Sequence, residues 1–326
     1  MAAEARPSPR PGHEACTGCA LCLLPCPVWW ETRDPLLTLM GRAKALQGGA
    51  SAEALSASLE ACVLCGACEP ICPERIDTIG LTLSLRGQLA ARNALPLAER
   101  AREARVAPGP AGPGVAGSGR TLLLAGPDLA ARPGVVPAIL RHLGRGAAAA
   151  EDDGSDLALG LEVGLALPAS REKRWLSTLA SARRLVVAEG LLHRFLRERV
   201  PGATVVGVAE ALLEVRTVRA ALRPSDLLIF EARGYHADFE RLVRVYDRVR
   251  RDTGCLTNLD LHRLAISTGA GSAQARLGTS GVDQDQLARI VVEGRRPARV
   301  VVESESDREP FVRALGVPVV HLAEVA

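Results

Sequence analysis

Eight of the nine cysteines fall into two copies of one pattern, C-x₂-C-x₂-C-x₃-C-P. This is the thiolate spacing of proteins that bind two [4Fe–4S] clusters, in which three closely spaced cysteines hold one cluster and the fourth cysteine reaches the other. The spacing therefore predicts two crossed ligand sets. The first set is Cys16, Cys19, Cys22 and Cys72, and the second set is Cys62, Cys65, Cys68 and Cys26.

Two zinc sites or a disulfide framework are the alternatives. A zinc site takes four ligands, often from two separated C-x₂-C pairs, and does not explain two identical quartets. Thiolate-ligated clusters suit a reducing compartment. The ninth cysteine, Cys255, is either a redox-active thiol or a small apolar residue at a helix end, and we favour the second interpretation.

Helices rather than strands are predicted around these cysteines. Apolar residues recur at helical spacing in residues 36–46, 52–63 and 79–91, and residues 96–105 add a polar helix. The proline after each fourth cysteine keeps that cysteine from continuing a helix, so the chain should turn away from the cluster there.

From residue 121 onward, short β-branched or apolar runs alternate with amphipathic stretches of helix length. The runs are residues 121–125, 185–188, 203–206, 227–230, 300–302 and 317–320. This alternation predicts parallel sheet covered by helices. A strand–helix–strand pattern over 182–210 recurs over 297–324, which indicates two tandem lobes.

The predicted fold class is therefore α + α/β: an N-terminal helical dicluster ferredoxin domain followed by two tandem α/β lobes. The predicted boundaries are a disordered tail at 1–12, the ferredoxin domain at 13–105, a Pro/Gly-rich linker at 106–119, and lobes at 120–222 and 223–326.

Composition excludes several classes of protein. The formal net charge is only +3 and aromatic residues make up 3% of the chain, so nothing favours nucleic-acid binding. No apolar run is long enough to span a membrane, and the N-terminal residues are polar and Pro-rich, unlike a secretory signal. We therefore expect a cytoplasmic protein, with peripheral membrane attachment through a partner left open.

Weaker signals have structural explanations. Gly126 follows a strand and could open a phosphate-binding helix, but it begins no nucleotide-binding motif. The acidic residues 151–156 lack calcium-ligand spacing and predict a solvated loop. His236 is explained by its place before the amphipathic helix over 239–249. Trp29 and Trp30 are expected to cover apolar surface near a cluster.

The order of these parts resembles a known family: the iron–sulfur subunits of anaerobic glycerol-3-phosphate dehydrogenase, glycolate oxidase and lactate utilisation systems, and the fused relatives in heterodisulfide reductase. The resemblance rests on both quartets, on Cys26-Pro-Val before the helical insert, and on residues 64–77, LCGACEPICPERID. It implies the all-helical ferredoxin fold and a flavin-containing dehydrogenase as partner.

The C-terminal part departs from that family, whose lobes each carry a Cys-Cys-Gly element and a later C-x-x-C element that bind a further cluster or metal. This chain has no Cys-Cys-Gly. Residues 267–272 read STGAGS at one such position. Glu189 and Glu303 stand where C-x-x-C would follow a strand.

The sequence thus predicts an electron-transfer subunit with two [4Fe–4S] clusters, working between a flavoprotein dehydrogenase and another electron carrier. Two alternatives stay open: a redox-sensing or scaffold protein whose clusters order a docking surface, and an enzyme of the heterodisulfide reductase type. The missing cysteines disfavour the second alternative.

Overall fold

The computed structural model describes residues 10–104, 121–261, 263–279 and 281–326. The predicted linker at 106–119 and residues 1–9 of the predicted tail lie outside these residues. No helix in the described ranges combines the length and the apolar character needed to cross a bilayer.

Helices form the N-terminal part, and the described residues before residue 121 contain no strand. These helices are α1 (Pro27–Thr32), α2 (Leu39–Gln47), α3 (Ser56–Ala61), α4 (Cys68–Ile71), α5 (Thr78–Ala91) and α6 (Pro96–Glu103). Side chains cap two of them: Thr38 accepts from Gly41 N at the start of α2, and Asp77 accepts from Gly80 N at the start of α5. The helices predicted from apolar spacing are confirmed, whereas α1 and α4 had no such signal.

The rest of the chain alternates between strand and helix. Its helices are α7 (Gly126–Ala130), α8 (Val135–Leu143), α9 (Ser155–Glu162), α10 (Ala169–Leu179), α11 (Gly190–Arg199), α12 (Val208–Glu214), α13 (Arg216–Ala221), α14 (Ala232–Ala237), α15 (Phe239–Thr253), α16 (Ala273–Arg276), α17 (Gln284–Val292) and α18 (Arg308–Ala314). Its strands are β1 (Thr121–Leu124), β2 (Ala147–Ala149), β3 (Arg184–Val187), β4 (Thr204–Gly207), β5 (Asp226–Ile229), β6 (Leu256–Thr257), β7 (Leu259–Asp260), β8 (Leu264–Ala265), β9 (Arg299–Val302) and β10 (Val319–His321).

Two four-stranded parallel sheets form, and they have the same topology. One has the order β2-β1-β3-β4, and the other, read from its opposite edge, has the order β6-β5-β9-β10. The parallel sheet expected from the sequence is confirmed, and the repeated strand–helix–strand units are β3 to β4 and β9 to β10. The division into two lobes at residue 222 stays a prediction.

The N-terminal helices pack against the sheet-bearing part. Leu59, Leu85 and Leu89 share one apolar core with Leu159 and Val163 at the end of α9. The chain then turns at Gly164, whose backbone has φ of +74°. This glycine lies directly on α5, because a Cβ there would stand 2.5 Å from the main chain of Arg86 and Gly87.

Cys255 follows α15 directly after Gly254, which has a left-handed backbone, and its side chain is buried in the apolar core. The predicted role as a small apolar residue at a helix end is therefore confirmed. The acidic segment 151–156 is not a solvated loop. Asp153 is buried, and Arg171 forms ion pairs with Asp152 and Asp156.

Candidate iron–sulfur site

The two cysteine motifs share one backbone conformation. In the first, Gly18 and Ala20 have φ of +79° and +65°, and in the second, Leu64 and Gly66 have φ of +53° and +76°. These are equivalent positions, two and four residues after the first cysteine. Alternating left-handed residues curl a loop so that its main-chain N–H groups point inward, which favours a bound anionic group. The motifs therefore repeat in three dimensions as well as in sequence.

A pocket of about 470 Å³, counted to its open mouth, lies inside the second loop. Cys62, Cys65 and Cys68 line it together with Cys26 and Cys22 from the first motif. Both fourth cysteines are extended, as the following prolines predict: Cys26 precedes α1, which Pro27 opens, and Cys72 follows the end of α4. The pocket brings together the four cysteines of the second predicted set.

The first quartet lies closer to solvent. Burial raises the pKa of the Cys22 thiol to about 12, and proximity to four other thiols contributes in the same direction. Those thiols are Cys26, Cys16, Cys19 and Cys72. Cys19 is exposed, whereas Cys65 is buried. Cys72 therefore lies close enough to Cys22 for their charges to interact, as Cys26 also does, and the assignment of Cys72 to the first set stays a prediction.

Two arginines and one threonine lie beside the thiols of the second quartet. Burial raises the pKa of Cys65 to about 12. Burial also raises the pKa of Cys62, but the guanidinium groups of Arg42 and Arg86 lower it more, and the net pKa is below the ordinary thiol value. The Thr78 hydroxyl lies 3.0 Å from Cys68 Sγ. A negative charge at Cys62 is thus stabilised by its surroundings.

The burial and hydrogen bonding of Arg42 indicate whether this pocket fits an anionic cluster. Its side chain is 2% exposed and lines the pocket, and its Nε–H has no hydrogen-bond partner in the described part of the chain. A buried donor without a partner is costly, so a missing acceptor is expected beside it. Cluster sulfur supplies such an acceptor. The residues present fit a [4Fe–4S] cluster held by Cys26, Cys62, Cys65 and Cys68.

The C-terminal part holds the second loop from behind. His236 Nδ1 lies 2.7 Å from the Cys65 carbonyl, and its Nε2 accepts from Ala265 N. Because Nε2 is an acceptor, Nδ1 must carry the proton and donate to Cys65. Burial lowers the pKa of His236 to about 4, so the ring is neutral.

Gln274 makes a second such contact, since its amide nitrogen donates to the carbonyls of Glu60 and Cys62. The sequence interpretation of His236 as a helix-entry residue was wrong.

Trp30 is half-buried against the apolar cores of the C-terminal part, and its indole N–H donates to Leu24 O. Its predicted role in covering a cluster stays a prediction.

The alternative uses of the cysteines find little support. All nine cysteines are free thiols. In the described ranges, no three Cys, His, Asp or Glu side chains converge as a single metal ion requires. The corners of a cubane are separate iron atoms, so its cysteines need not converge on one point. The preference for clusters over these alternatives therefore rests on the spacing of the two motifs.

Ion pairs occupy the place where the sequence comparison put the family's C-x-x-C elements. Glu189 contacts Arg233 (3.0 Å) and Arg276 (3.0 Å), and the same two arginines contact Glu162, which is fully buried. Glu303 accepts hydrogen bonds from the main-chain N–H groups of Ala209 and Glu231. These carboxylates bind the protein itself and leave no thiolate set for a further cluster.

Glu189→Gln should lower the free energy of unfolding by about 2–3 kcal/mol at neutral pH, because it weakens hydrogen bonds between charged groups. Burial raises the pKa of Glu189, but Arg276 and Arg233 lower it more, and the net pKa is below the usual value. Its stabilising contribution is therefore present above about pH 4.5 and is lost as the pH falls further.

Denaturant titrations at several pH values measure this difference. Glu198→Gln on the same helix, at an exposed position, is the control. Equal stabilities of the two variants across the pH range would contradict the assignment of Glu189 to a buried ion-pair network.

Comparison with known proteins identifies one region. A family model described as a 4Fe-4S dicluster domain matches residues 15–77, which include all eight motif cysteines. No curated protein and no solved structure matches the chain. The match supports an iron–sulfur protein of the 4Fe–4S type, and it covers well under half of the chain.

Proposed function

We propose that this protein is an electron-transfer subunit that relays electrons through two [4Fe–4S] clusters between a flavin-containing dehydrogenase and another carrier. The observation that carries the proposal is the pair of thiol quartets, one open to solvent and one enclosed, within a region that matches a dicluster family. When bound, such a cluster accepts and releases one electron at a time. The resemblance to dehydrogenase subunits is what names the partner.

In this proposal each cysteine set holds one cluster, and neighbouring residues support the clusters and their loops. The first set, Cys16, Cys19, Cys22 and Cys72, holds one cluster, and the second set, Cys62, Cys65, Cys68 and Cys26, holds the other. Because Cys22 of the first set also lines the pocket of the second set, the two clusters would be neighbours. Arg42, Thr78 and the main-chain N–H groups of both loops supply donors to sulfur, which tune the reduction potential. His236 and Gln274 keep the second loop in place.

The surface near Cys19 is proposed as the docking face for the dehydrogenase. Leu21, Leu24 and Leu36 are 40%, 46% and 67% exposed, and they belong to segments that flank the first quartet. We propose that these side chains belong to one contact surface, because contiguous exposed apolar patches mark protein interfaces. A partner bound here would sit on the quartet that solvent already reaches, in the cytoplasm or at the inner membrane surface.

The test starts from tagged protein purified anaerobically from its own host. We expect about eight iron and eight acid-labile sulfide per chain, as two cubanes require, and a flavin absorbance that co-purifies. Leu24→Glu and Leu36→Glu should each reduce the co-purifying flavin about tenfold without changing the iron content, because a buried interface charge costs more than about 1.4 kcal/mol.

Val312→Glu is the matched control, since Val312 is 47% exposed but lies in α18, far along the chain from the cysteine motifs. Absence of flavin from the wild-type preparation would contradict the flavoprotein partner. Loss of flavin in Val312→Glu and retention in Leu24→Glu would move the docking face away from Cys19.

A further inference from the structure

Two buried arginines stand beside the second quartet without a carboxylate partner. Arg42 and Arg86 are 2% and 0% exposed, and neither forms an ion pair with any carboxylate in the residues that the structure describes. The buried arginine Arg233, by contrast, is paired with Glu162 and Glu189. An unpaired buried charge is strongly unfavourable, so these two guanidinium groups call for a negative group close by.

The contacts of Arg42 leave its positive charge facing the pocket. Its Nη1 donates to Ser58 O (2.8 Å) and Ser58 Oγ (3.0 Å), both of which are neutral. Its Nε–H is buried without a partner. Arg42 lines the same pocket as Cys26 and Cys62, so its charge lies beside these ligands of the second set.

Arg86, in α5, contributes a second buried positive charge. It donates only to main-chain carbonyls: Leu59 O (2.7 Å), Cys62 O (2.5 Å) and Glu162 O (2.5 Å). These carbonyls fix its position but carry no net charge. The Glu162 carboxylate also acts on Arg86, but it is itself paired with Arg233 and Arg276. The charge of Arg86 therefore acts on Cys62 through a buried, weakly screening environment.

The first quartet has a different environment. Cys19 of this quartet is exposed, so water screens the charges near it. The polar contact to this loop comes from the neutral amide of Gln47, which donates to the carbonyls of Cys16, His13 and Glu14. Its positive neighbour, Lys44, pairs with Gln47 through its ammonium group at the surface, where water screens it.

We propose that Arg42 and Arg86 make the cluster of the second quartet the more easily reduced of the two, so that electrons entering at the exposed first quartet collect at the buried one. Reduction adds one negative charge, and nearby positive charge stabilises the reduced state. Burial acts in the opposite direction, and the two buried guanidinium groups, which have no carboxylate at ion-pair distance among the described residues, offset it. This inference rests on the proposed relay and gives it an internal direction.

EPR-monitored redox titration of the full-length protein with its clusters is the test. Arg42→Gln should make the second cluster harder to reduce, shifting the electron distribution between the two clusters at least tenfold, which for one electron is about 59 mV. Arg42→Lys keeps a positive charge and should shift the distribution much less. Arg92→Gln removes an exposed arginine, 64% accessible and paired with Glu53, and should shift nothing.

A ligand variant assigns the two signals independently of Arg42. Cys19→Ser changes the exposed ligand of the first quartet and should alter the EPR signal of the cluster that is reduced at the lower potential. If it alters the signal of the cluster reduced first, the proposal is overturned, even if Arg42→Gln fails to fold. Unchanged potentials in Arg42→Gln with full iron content would also overturn it. The relay itself fails separately, through absent clusters or an absent flavin partner.

Discussion

Cys72→Ser should cost the protein the cluster of the first motif, although Cys72 belongs to the second. Cys26→Ser should likewise cost the cluster of the second motif. The reason is the crossed arrangement: Cys72 acts on the first-motif thiol Cys22, and Cys26 lines the pocket inside the second loop. Each variant should retain about half of the iron and sulfide, since one cubane loses one of its four thiolate ligands.

EPR spectra of the reduced single variants distinguish the two clusters, and iron analysis measures the loss. Cys255→Ser is the control, because this buried cysteine lies in the apolar core after α15 and should leave the iron content unchanged. If each fourth cysteine affects only the cluster of its own motif, the crossed ligand sets are wrong.

Gly164→Ala should lower the free energy of unfolding by about 2–5 kcal/mol. The added methyl group would lie 2.5 Å from the main chain of Arg86 and Gly87, and main chain cannot rotate away as a side chain can. Overpacking of this kind costs about 1–3 kcal/mol, and the left-handed backbone adds about 1–2 kcal/mol for a residue with a Cβ.

Gly134→Ala separates the two contributions. Gly134 is left-handed, with φ of +92°, but no atom lies within 4 Å of the Cβ position, so this variant keeps the backbone strain and lacks the clash. Thermal or denaturant unfolding of both variants measures the difference. Equal destabilisation would show that the contact between Gly164 and α5 does not matter for stability. The clash should also weaken cluster binding by the second quartet, because it displaces Arg86, which donates to the Cys62 carbonyl.

The cysteine sets and the supporting helices were accessible from the sequence because both are local signals. Ligand spacing is read within a few residues, and α2, α3 and α5 have regular apolar spacing. Strand β2 was missed because its residues 147–149 are all alanine, which has little preference for strands. The two-residue strands β6, β7 and β8 are too short for any pattern to show.

The contacts of His236 and Gln274 with the second loop could not be predicted, for a different reason. His236 and the Cys65 carbonyl are 171 positions apart, and Gln274 and the Cys62 carbonyl are 212 apart. No spacing rule covers such contacts. Asp152 and Asp156 were misjudged as solvated because their partner, Arg171, comes from another helix. Long-range pairing of polar groups needs the fold before it can be assigned.

The contacts of His236 and Gln274 also set an order of events during synthesis. The ribosome delivers the chain from its N-terminus, so all eight motif cysteines emerge well before residues 236 and 274. Until those residues arrive, the second loop lacks the contacts that hold it from behind, and afterwards it is backed by them. We therefore expect a cluster to be inserted at the second quartet most readily before synthesis is complete. The first quartet, with Cys19 at the surface, should be the easier one to reload in the folded protein.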